Sequence, residues 1–333
     1  MRVSFDEMQG EFERVLIKKG LNAELAKINA VLFTQNSLDG IYSHGLNRFP
    51  RVMEYIDKGY IDVNAVAECE CGFGALERWN GNMGMGPSNA KLCMGRAVEL
   101  ANKFGIGCVA LARTNHWMRG GAYGLLAADM GCVGICFTNT MPNMPAWGAI
   151  DNRIGNNPFI IAIPRADGMH FMLDMAVSQY AYGTIEKAAR DGKMLPVVGG
   201  YDKDGNLTND PNLLWESRRV LPVGFWKGSC MSMVLDLLAA GLSQGNTVQD
   251  IGNLPAEIAC SQMFIAIAPD KCGDPEYLGK VTDDTIEFVK ASTAESENGA
   301  IYYPNEISYI TRADNLAHGI PADEEFWGMV KAM

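Results

Sequence analysis

The residues with the clearest chemical potential are four histidines and the charged groups spaced around them. His44 follows Ser43 and precedes Arg48 by one helical turn in sequence. On a helix that offset puts His44 and Arg48 on one face. An imidazole that titrates near neutral pH, beside a fork-shaped guanidinium, suits a keto-acid substrate: one group moves a proton and the other grips the carboxylate. The spacing fits equally well a helix-capping Ser43 with a structural His44, and spacing alone leaves both readings open. His116 sits in Asn115-His116-Trp117, after an apolar run that reads as a strand, and Arg119-Gly120-Gly121 follows. Sites in α/β proteins form at such strand ends, and the glycines would let the backbone approach a ligand closely. The alternative is a core imidazole stacked on Trp117. His170 opens an apolar strand with only Asp167 for polar company, and His318 precedes Gly319 as a helix-ending residue does. Both read as structural.

Other polar residues fall at the ends of apolar runs. Asp174 ends a strand, where a carboxylate can accept from a cofactor hydroxyl or cap a following helix. Lys227, in Phe225-Trp226-Lys227-Gly228-Ser229, stands at a helix start, where a cation is unfavourable unless an anion binds there. Asn139 and Thr140 leave one strand, and Asn156-Asn157-Pro158 enters another. Several chemistries are excluded. Gly105-Ile106-Gly107-Cys108-Val109-Ala110 fits a dinucleotide pattern, but a helix precedes it and a strand follows, the reverse of what phosphate binding at a helix N-terminus needs. There is no Walker-type loop. No histidine pair has metal-ligand spacing, and no serine sits in a nucleophile elbow.

These groups need elements to hold them. Periodicity predicts helices over about 4–19, 22–38 and 48–58, with Gly20 and Asp39-Gly40 as stops. Helices are also expected over 85–103, 121–130, 178–190, 231–242, 283–292 and 324–331. Strands are expected over 107–112, 132–138, 158–163, 170–175 and 263–268. The ends are helical and the middle is mixed α/β. The expected fold is therefore a non-Rossmann α/β cofactor domain over 76–299, with a helical domain formed from both termini, 1–75 and 300–333.

The chain has 333 residues, 48% of them hydrophobic and 20% charged. That length and apolar content support a globular protein of two domains. The net charge of −11 disfavours nucleic acid and anionic membranes. No run reaches the about 18 apolar residues that spanning requires. Nine cysteines, an odd number with no C-x-x-C spacing, and the acidic opening Met1-Arg2-Val3-Ser4-Phe5-Asp6-Glu7 predict reduced thiols and a cytoplasmic location.

The string Gly40-Ile41-Tyr42-Ser43-His44-Gly45-Leu46-Asn47-Arg48-Phe49-Pro50-Arg51 resembles the N-terminal motif of the type-2 malate/L-lactate dehydrogenase family. Asn115-His116-Trp117-Met118-Arg119-Gly120-Gly121, Gly155-Asn156-Asn157-Pro158, Asp174-Met175-Ala176, Asp204-Gly205-Asn206-Leu207-Thr208 and Trp226-Lys227-Gly228 resemble its later motifs, in the family's order. The resemblance implies an NAD(P)-dependent oxidoreductase without a Rossmann domain, a homodimer with active sites near the subunit interface, and a small 2-keto acid as substrate, here a sugar-derived one. Malate, lactate, ureidoglycolate or a cyclic imine acid are the alternatives. It makes His44 the acid, with Ser43 orienting it, Arg48 holding the carboxylate, and Asn115 and His116 lining the pocket. In some relatives the acid role falls on the residue matching His116. The implied cofactor contacts are Asn139, Thr140, the segment His170, Phe171, Met172, Leu173, Asp174, Met175 and Ala176, the pair Trp226 and Lys227, and Pro304, Asn305 and Glu306. The resemblance leaves NADH as the expected cofactor over NADPH.

Overall fold

The computed structural model describes residues 1–296 and 299–333. Its main helices are α1 (Phe5–Lys18), α2 (Ala23–Leu38), α3 (Phe49–Asp57), α4 (Gly86–Phe104), α5 (Gly121–Asp129), α6 (Tyr182–Arg190), α7 (Trp226–Ser243), α8 (Pro275–Lys290), α9 (Glu306–His318) and α10 (Glu324–Ala332). The main sheet contains β1 (Glu68–Phe73), β2 (Leu76–Asn80), β3 (Ile106–Thr114), β4 (Val133–Thr138), β5 (Phe159–Ile163), β6 (Phe171–Met175) and β7 (Cys260–Ile267).

Ser4 caps α1 by accepting from the Glu7 N–H at 3.2 Å, and Asn22 caps α2 through the Leu25 N–H at 2.9 Å. The spacing of Met8, Phe12, Val15 and Leu16 turns one stripe of α1 inward. That stripe packs with α2, α3 and α10 in one core, where Phe12 stacks on Phe49 at 4.2 Å. The chain ends join there too: Arg2–Val3 pairs antiparallel with Ile320–Pro321.

The sheet runs β1-β2-β3-β7-β4-β5-β6. Only the β2–β3 pair is parallel; the other pairings are antiparallel. This is a mixed α/β fold without a doubly wound parallel sheet. Alternation along the strands sends Val109, Leu111 and Phe264 to the face covered by α4 and α5, and Ala110, Met263 and Phe137 to the face under α7. Gly105 ends α4 in the left-handed region at φ +87°, and β3 follows at once. The dinucleotide-like string is thus a helix stop, as its flanks predict. No helix among the described residues is long and apolar enough to cross a membrane.

Several expectations change. His44 and Arg48 do not share a helix. Tyr42–His44 forms a short 3-10 turn, and α3 starts only at Phe49. Gly45 is the cause. It lies so close to α2 that a Cβ would stand 2.1 Å from Ser37 Oγ and 2.9 Å from Phe33 O, so the chain turns away there. Helix α6 begins at Tyr182 instead of 178, because Ser178 bridges Pro222 and the Gln179 N–H donates to Leu221 O. Helices α7 and α8 begin earlier than the periodicity indicates, and β1, β2 and α9 add to it. Strand β1 is exposed along its whole length, so it has no apolar alternation to read.

Candidate active site

Five chain segments converge on one cleft of about 530 Å³. The 3-10 turn brings Ser43 and His44, and Arg48 follows just before α3. The segment after β3 brings His116 and Arg119. The ends of β4 and β6 bring Asn139, Thr140, Asp174 and Ala176. The N-terminus of α6 closes one side with Tyr182 and Thr184.

The two imidazoles lie nearly parallel, with ring centroids 5.7 Å apart at 21°. His44 Nδ1 is 3.0 Å from Ser43 Oγ. Its Nε2 has no protein partner among the described residues. His116 is held at both edges. Nδ1 accepts the Met118 N–H at 2.9 Å, and Nε2 faces Glu257 at 3.6 Å. Because Nδ1 accepts, the neutral His116 ring carries its proton on Nε2. Desolvation by the surrounding protein, then the nearby Arg48 and Arg119, pull His44 down to about 4. His116 is pushed well below its ordinary value by burial first, with Arg48, His44 and Arg51 adding to it.

The guanidinium groups divide sharply. Arg119 is 4% exposed and fully engaged, with Asp39 at 2.5 Å, Asn305 at 3.1 Å and Asp174 at 3.4 Å. Arg312 completes the cluster through Asp39 at 2.7 Å. Arg48 lines the cleft half-buried, with no ion pair or side-chain hydrogen bond among the described residues.

Some expected ligand groups are committed elsewhere. Asn115 turns away from the cleft, where its Nδ2 donates to Met83 O at 2.7 Å and Gly84 O at 2.9 Å. The Asn139 side chain spans Asp236, Asn246 and the Ser261 N–H, and its backbone N–H donates to Ser261 O at 3.1 Å, so the residue is committed to the fold. Thr140 is tied to Asn157 Oδ1 through its N–H at 3.0 Å. Gly120 and Gly121 serve packing. A Cβ would stand 2.3 Å from Ile160 Cδ1 at the first and 2.5 Å from Asp174 Oδ2 at the second. Asp174 Oδ2 takes the Gly121 N–H at 3.1 Å; it caps α5, not the helix after it.

A second recess of about 400 Å³ lies beyond Arg119, between α2, α5 and α9. His170 and Asn305 line it. Both His170 nitrogens are satisfied, by the Arg165 N–H at 3.0 Å and by Asp129 at 2.9 Å, in keeping with a structural histidine. Pro304 O accepts the Met172 N–H at 3.2 Å, which joins the start of α9 to β6. Phe171 stacks on Tyr303, and Leu173 is exposed on the same strand. Glu306 pairs with Lys290 and takes the Tyr303 N–H. Trp226 and Lys227 lie outside both recesses, exposed at the first turn of α7. Glu257, Arg119 and Tyr182 are the cleft groups that sequence reasoning does not single out. Arg119 stands inside a motif, but Glu257 follows Leu254-Pro255-Ala256 with no pattern to mark it.

A model of the malate/L-lactate dehydrogenase family matches residues 3–331. The chain belongs to the malate/L-lactate dehydrogenase family. It is therefore an oxidoreductase of hydroxy and keto acids that works with a nicotinamide cofactor. It is 42% identical, over the whole of both chains, to a 2,3-diketo-L-gulonate reductase of Haemophilus influenzae. Among solved structures, it superposes on a malate dehydrogenase from Entamoeba histolytica with a TM-score of 0.93 at 27% identity, covering 100% of this chain and 96% of that one. It superposes on a delta1-piperideine-2-carboxylate reductase from Pseudomonas syringae pvar. tomato with a TM-score of 0.87 at 26% identity, covering 100% and 99%.

Proposed function

We propose that this chain reduces 2,3-diketo-L-gulonate, with NADH as cofactor and His44 as proton donor. The observation that carries this reading is Arg48: a half-buried guanidinium with no ion pair among the described residues, opposed only by the more distant Glu257, beside two imidazoles. A cation withdrawn from water without a partner is costly, and a bidentate carboxylate removes that cost. Full-length similarity to a reductase named for that diketo acid supports the choice of substrate.

When bound, the reduced nicotinamide supplies a hydride to the keto carbon. Arg48 holds the substrate carboxylate in two parallel hydrogen bonds. Ser43 fixes the His44 ring through Nδ1, which leaves Nε2 free to face the substrate oxygen and to give it a proton. His116 has Nδ1 occupied by the Met118 N–H and Nε2 turned toward Glu257, which favours His44 for that role. Held at about 4, His44 is neutral near neutral pH. The arriving carboxylate neutralises Arg48 and removes one of the charges that hold the imidazole unprotonated.

The second recess suits the distal part of a dinucleotide. Asn305 Nδ2 is buried there without a partner among the described residues, a donor that a cofactor oxygen would satisfy. Pro304 and the backbone of β6 lie beside it, and Arg119 forms the wall between the recesses. Trp226 and Lys227 fit the same scheme through a homodimer. Helix α7 exposes Trp226, Met233, Val234 and Leu237, an apolar stripe that a second copy would cover. A cytoplasmic location accords with nine free cysteines.

The test is NADH or NADPH oxidation at 340 nm over a panel of 2-keto acids and a cyclic imine acid. The expected result is the highest kcat/KM with 2,3-diketo-L-gulonate and NADH. Faster turnover of oxaloacetate, pyruvate or the cyclic imine would replace the substrate. Cofactor binding with no oxidation by any acid would remove the enzymatic reading.

A further inference from the structure

Glu257 has no part in the scheme above, yet its setting is unusual. It comes from the loop ahead of β7, far in sequence from the other cleft groups. Its side chain is only 12% exposed. The Met141 N–H donates to its Oε2 at 3.4 Å, and among the described residues its one ion-pair neighbour is His116 Nε2 at 3.6 Å. Neither a lysine nor an arginine lies within 4.0 Å of it among the described residues. Burial pushes the Glu257 carboxyl up, and Arg48 and Arg51 act against that without pairing with it, so a fold that keeps a carboxylate there at a desolvation cost needs a further reason for it.

The geometry around His116 supplies that reason. The Met118 N–H occupies Nδ1, so the ring proton is on the edge facing Glu257. The imidazole is thus held between a backbone donor and a carboxylate, and its flat face lies against His44. The charged neighbours of this pair are otherwise cationic. Arg48 and Arg51 come from the segment that leads into and opens α3, and Arg119 from the segment after β3. Asp39 and Asp174 already engage Arg119. Cys260 on β7 also lines the cleft, and burial keeps its thiol neutral.

We propose that Glu257 is a positioning residue of the reduction: its carboxylate orients the His116 ring against His44 and supplies the negative charge that lets the imidazole pair hold a proton beside Arg48. The role rests on the reading of His44 as proton donor. A negative charge next to an imidazole favours the protonated form. Removing it lowers the pH at which the acid is lost, so the alkaline limb of the reduction profile moves to lower pH. The same carboxylate also opposes the substrate's negative charge at Arg48, so its removal lowers KM while kcat falls.

The test uses the full-length Glu257→Gln and Glu257→Asp variants with NADH and the best keto acid of the panel. In Glu257→Gln the alkaline limb of kcat is expected to shift down by about one pH unit, a roughly tenfold loss on that limb, with KM unchanged or lower. Glu257→Asp should recover part of the shift. Histidine-selective NMR of the variants without substrate should show an altered His116 ring environment beside an unchanged fold. A Glu257→Gln enzyme with the wild-type pH profile and wild-type His116 resonances would overturn the proposal. A wild-type enzyme that turns over no keto acid, with His116 still perturbed in Glu257→Gln, would remove the proposed activity and leave the Glu257–His116 coupling in place.

Discussion

Arg48 and His44 carry the chemistry at the smallest scale, and each makes a separate prediction. Arg48→Lys replaces a fork with a point charge. A hydrogen bond to a charged group contributes about 1.5–3 kcal/mol, so KM for keto acids should rise roughly 10- to 100-fold with a smaller change in kcat. Steady-state kinetics will show it, and an unchanged KM would rule out the clamp. His44, held at about 4, is neutral at pH 6.5. If the substrate carboxylate cancels the Arg48 charge, binding raises that value and the complex takes up a proton. Calorimetry of keto-acid binding in buffers of different ionisation enthalpy should detect net proton uptake that grows as pH falls, and no uptake would contradict the linkage. The types of these residues are legible in the sequence, because a histidine beside a motif arginine is a local pattern. Glu257 is not, since its meaning arises only when a distant loop folds against His116.

At the scale of elements, the helices are the most legible part of the molecule. Ser4, Asn22 and Gly105 mark their ends as caps should. The segment from Tyr42 to Arg48 is less so, because its shape depends on contact with α2. Gly45 is where that contact is closest. In Gly45→Ala the new methyl would meet Ser37 and the Phe33 carbonyl. Overpacking of this kind costs about 1–3 kcal/mol. The variant should unfold at lower urea and should also lose kcat/KM, since His44 and Arg48 flank the displaced residue. Wild-type stability and activity together would show that the turn is not held by this packing.

At the scale of the whole molecule, strand order was beyond the sequence. Strand β7 comes late in the chain yet pairs between β3 and β4, a long-range pairing that no local pattern specifies. The surface of α7 was hidden for a related reason. A helix this apolar reads as buried, but Val234 is 53% and Leu237 67% exposed, while the inward face uses small residues such as Ser232 and Ala239. In the proposed homodimer that stripe is covered. Leu237→Glu should therefore shift the protein from dimer to monomer in light scattering coupled to gel filtration, and weaken NADH binding through displacement of Trp226 and Lys227. A Leu237→Glu protein that is still a dimer would place the interface elsewhere.

The most direct measurement of the His44 assignment is single-turnover hydride transfer, followed at 340 nm by stopped flow, in His44→Ala and His116→Ala. General acid catalysis contributes about 10²- to 10⁴-fold. His44→Ala should slow the hydride step by that order with NADH affinity retained, and His116→Ala should slow it less. A His44→Ala enzyme that transfers hydride at the wild-type rate, while His116→Ala does not, would contradict the assignment and move the acid to the neighbouring ring.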